Sequence, residues 1–202
     1  NTIYMLKKII FLGLLNFTHT ALIAQTKTTP IYLDESKPVE DRIKDALSRM
    51  TVEEKVRMLH AQSKFSSAGV PRLGIPEFWT TDGPHGVRAE VQWDEWDQAG
   101  WTNYSIIAYP ALTALSATWN KQMSWNYGKA IGEEARYRKK DVLLGPGVNI
   151  YRTPLNGRNF EYMGEDPYLT SIMVVPYIKG VQSNGVATSV KNFALKNNKM
   201  FR

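Results

Sequence analysis

Glu77-Phe78-Trp79-Thr80-Thr81-Asp82-Gly83-Pro84-His85-Gly86 is the stretch on which the reading of the fold turns. Phe78 to Thr81 are aromatic or β-branched and, with Glu77 leading in, predict a short buried strand. Asp82 to Gly86 predicts a loop, because glycine and proline break both regular periods. A strand that ends by delivering a carboxylate and an imidazole into such a loop is typical of parallel α/β folds. There, ligands are met at the carboxyl ends of the strands.

Working outward, Gly69 to Pro76 is turn-rich and feeds the chain into that strand. Further upstream, Thr51-Val52-Glu53-Glu54 has the form of a capping box opening a helix with Val56, Met58 and Leu59 on its apolar side. Before it, Val39, Ile43, Ala46, Leu47 and Met50 fall at helical spacing. Residues 25–38 are polar and bounded by proline, which predicts a linker.

Downstream, Val91 to Tyr104 is an irregular, Trp-rich insertion. A helix pattern then runs from about Asn120 to Lys140, followed by the strand Val142-Leu143-Leu144. Asp166-Pro167 is an N-cap with proline at the first helical position, opening a helix to about Ser183 that Pro176 should kink. Val186 to Phe193 predicts a last strand. Strands alternating with helices imply a parallel α/β architecture. A complete barrel of this kind takes about 250 residues. With 202 residues and three or four strand candidates, the expected fold is the N-terminal part of a (β/α)8-like TIM barrel, incomplete.

Polar residues gather after the strand candidates: Asp82 and His85 after the first, Arg158 in a later loop, Lys191 and Asn192 at the end of the last. A carboxylate accepting from hydroxyls, with Lys and Arg donating to others, suits a polyol. On the residues alone two readings stand side by side, since Asp82 can simply cap a turn and Arg158 can simply pair with Glu161 or Glu165.

Other chemistries are excluded more firmly. The chain has no cysteine, which removes disulfides, thiolate catalysis and Cys-based zinc sites. Its three histidines show no paired metal spacing, so neither a metal nor an organic cofactor is expected. Gly145-Pro146-Gly147 lacks the third glycine of a dinucleotide loop, position 150 being Ile. Net charge is +6 overall, a mild excess with no basic helix, which argues against a nucleic-acid partner. After Asp166 no acidic residue occurs, although Lys179, Lys191, Lys196, Lys199 and Arg202 follow.

Residues 5–24 predict a secretory signal peptide. Met5 is followed by Lys7-Lys8, an apolar run from Ile9 to Leu15, and small residues up to Ala24. Asn16, Thr18, His19 and Thr20 interrupt the run well short of the roughly 20 apolar residues of a spanning helix. The expected location is periplasmic or secreted, with no membrane attachment after cleavage.

Several ordered blocks resemble the family 3 glycoside hydrolases. They are Gly69-Val70-Pro71-Arg72-Leu73-Gly74-Ile75-Pro76, Thr81 to Arg88, Ala117-Thr118-Trp119-Asn120, Ile131 to Arg136, Leu144 to Ile150, and Gly157 to Tyr168. The resemblance runs from about residue 33 to 195. It implies a barrel domain and retaining, exo-acting hydrolysis of β-linked glycosides or oligosaccharides, nearer the β-glucosidase and β-xylosidase branch. It further implies that Asp82, Arg158 and Lys191 bind the hydroxyls of the sugar in the cleavage subsite. The position after that lysine is commonly histidine in the family and is Asn192 here. The family's nucleophile and acid/base fall beyond Arg202, so the expectation is a sugar-binding half that is inactive alone. A non-catalytic carbohydrate-binding fragment and a non-functional truncation are the alternatives. A barrel stopped after its fourth strand would also leave a bare edge and tend to self-associate.

Overall fold

The computed structural model describes residues 29–97, 99–100, 105–193 and 196. The leader at 5–24 lies outside the described residues. The chain divides into two compact units, residues 1–50 and 51–202.

In the first unit a 3-10 turn, Ile31–Leu33, precedes helix α1, Val39–Arg49. Glu40 and Asp41 stand in the first turn of α1 and Arg49 in the last, each complementing the helix dipole. The turn falls inside the stretch expected to be a linker, yet it is tied to α1. The Tyr32 N–H donates to Asp45 Oδ2 at 3.0 Å, and Arg42 Nε donates to the Tyr32 carbonyl at 3.2 Å.

The second unit opens with α2, Val52–Met58, where the expected capping box is formed in both directions. Thr51 Oγ1 accepts from the Glu54 N–H, and Glu54 Oε2 accepts from the Thr51 N–H. The main sheet has four strands: β1 (Ser66–Ser67), β2 (Phe78–Asp82), β3 (Val142–Leu144) and, after a second pair, β6 (Ala187–Thr188). Their order is β1-β2-β3-β6, with β1 antiparallel to β2 and the other neighbours parallel. β4 (Gly147–Ile150) and β5 (Tyr162–Gly164) form a separate parallel pair.

Helices α3 (Leu112–Ser116) and α4 (Lys121–Tyr137) lie between β2 and β3 in the chain, and α5 (Pro167–Gln182) lies between β5 and β6. Asn120 Oδ1 caps α4 by accepting from the Met123 N–H at 3.0 Å. Asp166 Oδ1 does the same for α5 through Tyr168 at 2.8 Å, and α5 runs on through Pro176. The two long helices pack against each other through glycines. A Cβ on Gly128 would stand 2.1 Å from the Tyr177 carbonyl oxygen, and one on Gly180 2.3 Å from that of Trp125. Only the absent side chains let the backbones approach this closely.

The core lies where these helices cover the sheet. Leu112, Leu115, Ile131 and Ala135 meet Leu143 of β3, Met163 of β5, and Met173, Tyr177 and Val181 of α5. This is the parallel α/β arrangement expected. The last strand is shorter than Val186 to Phe193: only Ala187–Thr188 pairs as a strand, and Lys191 makes an isolated parallel bridge to Gly147. Asn192 sits at φ +62°, a left-handed turn that the strand pattern did not announce.

Candidate functional site

Asp82 is the last residue of β2 and pairs in register with Leu144, the last of β3. The loop after it is held from three sides. Gly83 has φ +113°, and a Cβ there would stand 1.7 Å from the Gly86 carbonyl oxygen, so the turn admits only glycine. The Arg88 N–H returns to the Asp82 carbonyl at 3.1 Å. The buried Tyr177 hydroxyl of α5 donates to the Pro84 carbonyl at 2.6 Å, tying the loop to the core.

Lys191 comes to this point from beyond β6. Its N–H donates to the Pro146 carbonyl and its carbonyl accepts from Val148, which fixes its backbone beside β4. From there Nζ reaches Asp82 Oδ1 at 2.6 Å, and the same oxygen accepts the Gly83 N–H at 2.9 Å. Asp82 Oδ2 has no protein donor among the described residues. Partial burial pushes the Asp82 carboxyl up. The Lys191 hydrogen bond and charge, the Gly83 N–H and the Arg158 guanidinium outweigh it and hold the carboxyl below the usual carboxylate range.

Arg158 lies in the connection between β4 and β5. Its Nε and Nη2 donate to the two oxygens of Glu161, three residues on. Both local contacts that the sequence allowed as the alternative to ligand binding are present: Asp82 does receive its own loop's N–H, and Arg158 does pair with Glu161. Neither contact exhausts the group. Asp82 keeps an oxygen free, and the charge of Arg158 is still felt at Asp82.

Asn192 follows Lys191. Its Oδ1 accepts from Lys196 Nζ at 2.8 Å, and its buried Nδ2 faces the Tyr162 hydroxyl. His85 lies edge-on to Phe160, ring centroids 5.5 Å apart, with Nδ1 buried and unpartnered. Burial pushes its imidazole below the ordinary histidine range; Glu161 opposes this and Lys191 adds to it. His85 is thus neutral at pH 7 and close enough to feel both charged pairs.

The structure brings Asp82 and Lys191 into contact, sets Arg158 where its charge reaches them, and places Asn192 next along the chain. Glu161 is the residue that sequence reasoning passed over as part of the site. Its only trace was the three-residue spacing from Arg158. The described residues contain no cluster of His, Asp or Glu able to hold a metal. A second depression, lined among others by Trp79, Glu90, Arg138, Lys140 and Asp141, opens at the other end of β2 and β3. There Lys140 pairs with Glu90 and sits 4.9 Å from the centre of the Trp79 ring, and burial pushes its ammonium down to about 8.

Comparison with known proteins gives a consistent picture. Residues 39–198 match the model of the glycosyl hydrolase family 3 N terminal domain. Beta-glucosidase BoGH3A of Bacteroides ovatus is 67% identical over 186 residues, which is 92% of this chain and 25% of that protein. Thermostable beta-glucosidase B of Acetivibrio thermocellus is 42% identical over 157 residues, 77% of this chain and 20% of that protein. Among solved structures, beta-glucosidase 3B from Thermotoga neapolitana in complex with glucose superposes with a TM-score of 0.66 at 37% identity, covering 75% of this chain and 23% of that one. Beta-glucosidase from Kluyveromyces marxianus gives a TM-score of 0.68 at 31% identity over 77% of this chain and 18% of that one. The chain therefore spans about a quarter, or less, of the length of these relatives.

Proposed function

Because the chain belongs to glycosyl hydrolase family 3 through its N terminal domain, we propose that it supplies the sugar-binding side of a site for hydrolysing β-linked glycosides. The observation that carries this is the Asp82–Lys191 pair at the carboxyl end of β2, with Asp82 Oδ2 left open. A carboxylate held ionised accepts from two neighbouring hydroxyls, and fixed cations donate to others. Both partners are set before a sugar arrives, so little ordering cost falls on binding. Lys191 and Arg158 present N–H groups and Asp82 presents lone pairs. Glucose in complex with the Thermotoga relative and the beta-glucosidase names of the others support a glucoside as ligand.

Retaining hydrolysis needs two carboxyl groups about 5 to 5.5 Å apart, one to attack the anomeric carbon and one to protonate the leaving oxygen. In this site the carboxylates of Asp82 and Glu161 are each occupied by a cation, Lys191 and Arg158. An attacking carboxylate has to be free to bond, and a general acid has to carry a proton at working pH. Asp82, with its pKa lowered, cannot serve as the general acid, and the Lys191 ammonium and Gly83 N–H hold it as a hydrogen-bond acceptor. We assign binding and orientation to this stretch, and attack and protonation to carboxyls outside it. A stand-alone sugar-binding role is the second reading, favoured by the same preformed pairs. The Lys7-Lys8 start and the apolar run after it support export to the periplasm or beyond.

The test is calorimetric titration of the chain with glucose, xylose and gluconolactone, beside turnover of a nitrophenyl β-glucoside. Binding abolished by Asp82→Ala, with no turnover, is the expected result. Turnover that disappears in Asp82→Ala would overturn the assignment of the chemistry to carboxyls elsewhere. Absence of any binding would remove the sugar-site reading altogether.

A further inference from the structure

Arg158 and Glu161 are unequal partners. The Arg158 side chain keeps 33% of its surface exposed and that of Glu161 only 10%. A buried carboxylate needs a cation beside it, and the short 3-10 turn Asn159–Glu161 provides the geometry. That turn is tightly anchored. The Glu161 N–H donates to the Arg158 carbonyl at 3.1 Å, Asn159 Nδ2 donates to the Thr153 carbonyl at 3.0 Å, and Asn156 Nδ2 donates to Asn159 Oδ1 at 2.8 Å. The Tyr151 hydroxyl lies within hydrogen-bond reach of the Asn159 carbonyl and, at 3.0 Å, of that of Tyr162, and its single proton goes to one of them. A Cβ on Gly147 of β4 would stand 2.5 Å from the Glu161 carbonyl oxygen, so the turn lies directly on that strand. Glu161 is thus a fixed object on a fixed turn.

The guanidinium is planar, and its donors form a rigid fork. Glu161 takes the edge made by Nε and Nη2. Nη1 has no acceptor among the described residues, and the positive charge it shares is felt at Asp82. A two-point contact on one edge stops rotation of the group and fixes where the other edge points. We infer that Glu161 is a positioning residue for sugar recognition: it holds Arg158 so that the Nη1 edge serves one particular hydroxyl of the sugar held by Asp82. The inference rests on the sugar-site reading above and adds a residue that acts through Arg158 alone. With the clamp loosened, the arginine keeps its charge and loses its choice of hydroxyl.

The experiment uses the whole chain with 15N-labelled arginine and two readouts. Without sugar, the Arg158 Nε–H should give a distinct, slowly exchanging NMR signal that Glu161→Gln abolishes. With sugar, calorimetry compares glucose with its 2-, 3-, 4- and 6-deoxy derivatives. The unsubstituted chain should lose affinity most sharply for one derivative, by about tenfold or more for a charge-assisted hydrogen bond. Arg158→Lys and Glu161→Gln should each flatten that same discrimination, and the double variant should do no more than either. Glu161→Asp, which keeps the carboxylate, should restore part of it and guards against a folding defect in Glu161→Gln.

Failure is separable from that of the sugar-site reading. No sugar binding by the unsubstituted chain removes that reading. Sugar binding whose deoxy pattern survives Glu161→Gln, or effects of the two substitutions that add, overturns the positioning role alone. A freely rotating Arg158 guanidinium in the unsubstituted chain also overturns it.

Discussion

Lys191 Nζ stands 2.6 Å from Asp82 Oδ1, a contact between residues 109 positions apart in the sequence. It joins the end of β2 to the segment that leaves β6, and it is the point where fold and site become one thing. Removing either partner leaves the other partly desolvated and unpaired. More than a third of the Asp82 side chain meets solvent, so the cost is far below that of a fully buried pair. Asp82→Asn and Lys191→Met should each lower stability by about 1 kcal/mol in urea unfolding and abolish binding of glucose by calorimetry. Glucose affinity unchanged in both variants would remove the pair from the site.

The same pair sets a pH response. The Asp82 carboxyl is lowered from its ordinary value of 3.8 in the folded chain, so between the folded and unfolded values the unfolded chain holds more protons. Its contribution to stability is therefore complete above pH 3.8 and is lost as pH falls through the lower, folded value. Urea midpoints measured from pH 6 down to pH 2 should show this acid loss, and Asp82→Asn should shrink it. An identical slope in the variant would assign the acid sensitivity to other carboxylates.

Tyr177 connects the core to the site loop through its hydroxyl on the Pro84 carbonyl. Tyr177→Phe leaves that buried acceptor unpaired, at a cost of about 1 to 3 kcal/mol. Because Pro84 lies two residues from Asp82, glucose affinity should fall as well. Loss of stability with affinity intact would show that the loop holds its shape without this tie.

Leu143 of β3 is fully buried and belongs to a core cluster that includes residues of both α4 and α5. Leu143→Ala should cost about 2 to 5 kcal/mol, read as a shift of the urea midpoint. A smaller loss would mean that the two helices close over the space left behind.

Val190 and Phe193 are exposed beyond β6, whose one strand neighbour among the described residues is β3. An apolar edge of this kind favours association. Sizing chromatography of the chain beginning at Gln25 should show species above monomer mass that diminish in Phe193→Lys. A monomer at all concentrations would count against it. Mass spectrometry of the exported product from a suitable host should find a new amino terminus near Gln25, and an intact leader in the cytoplasm would end the export proposal.

Local signals proved sufficient for α1, α2, α4 and α5 and for the fold class. Thr51, Asn120 and Asp166 cap helices in the structure because a cap is a contact within three residues, and side-chain oxygens at those spacings have few other partners. The strand ending in Asp82 was visible from its aromatic and β-branched residues bounded by a glycine-proline loop, and the strand Val142–Leu144 from its apolar run. By contrast, β5, the short α3 and the left-handed turn at Asn192 carry no pattern long enough to show a period.

The site divides in the same way. Places after strands marked Asp82, Arg158, Lys191 and Asn192 as candidates, and the family resemblance is what implied a sugar-binding role for them. Whether Asp82 merely capped its turn or served a ligand, and whether Arg158 merely paired with Glu161 or Glu165, could not be read from one dimension. Each alternative satisfied the same local chemistry. Tertiary structure alone brought Lys191 across 109 positions onto one oxygen of Asp82 and set the buried Glu161 against one edge of Arg158. Contacts of that separation depend on how helices and strands pack, and packing is a property of the whole chain.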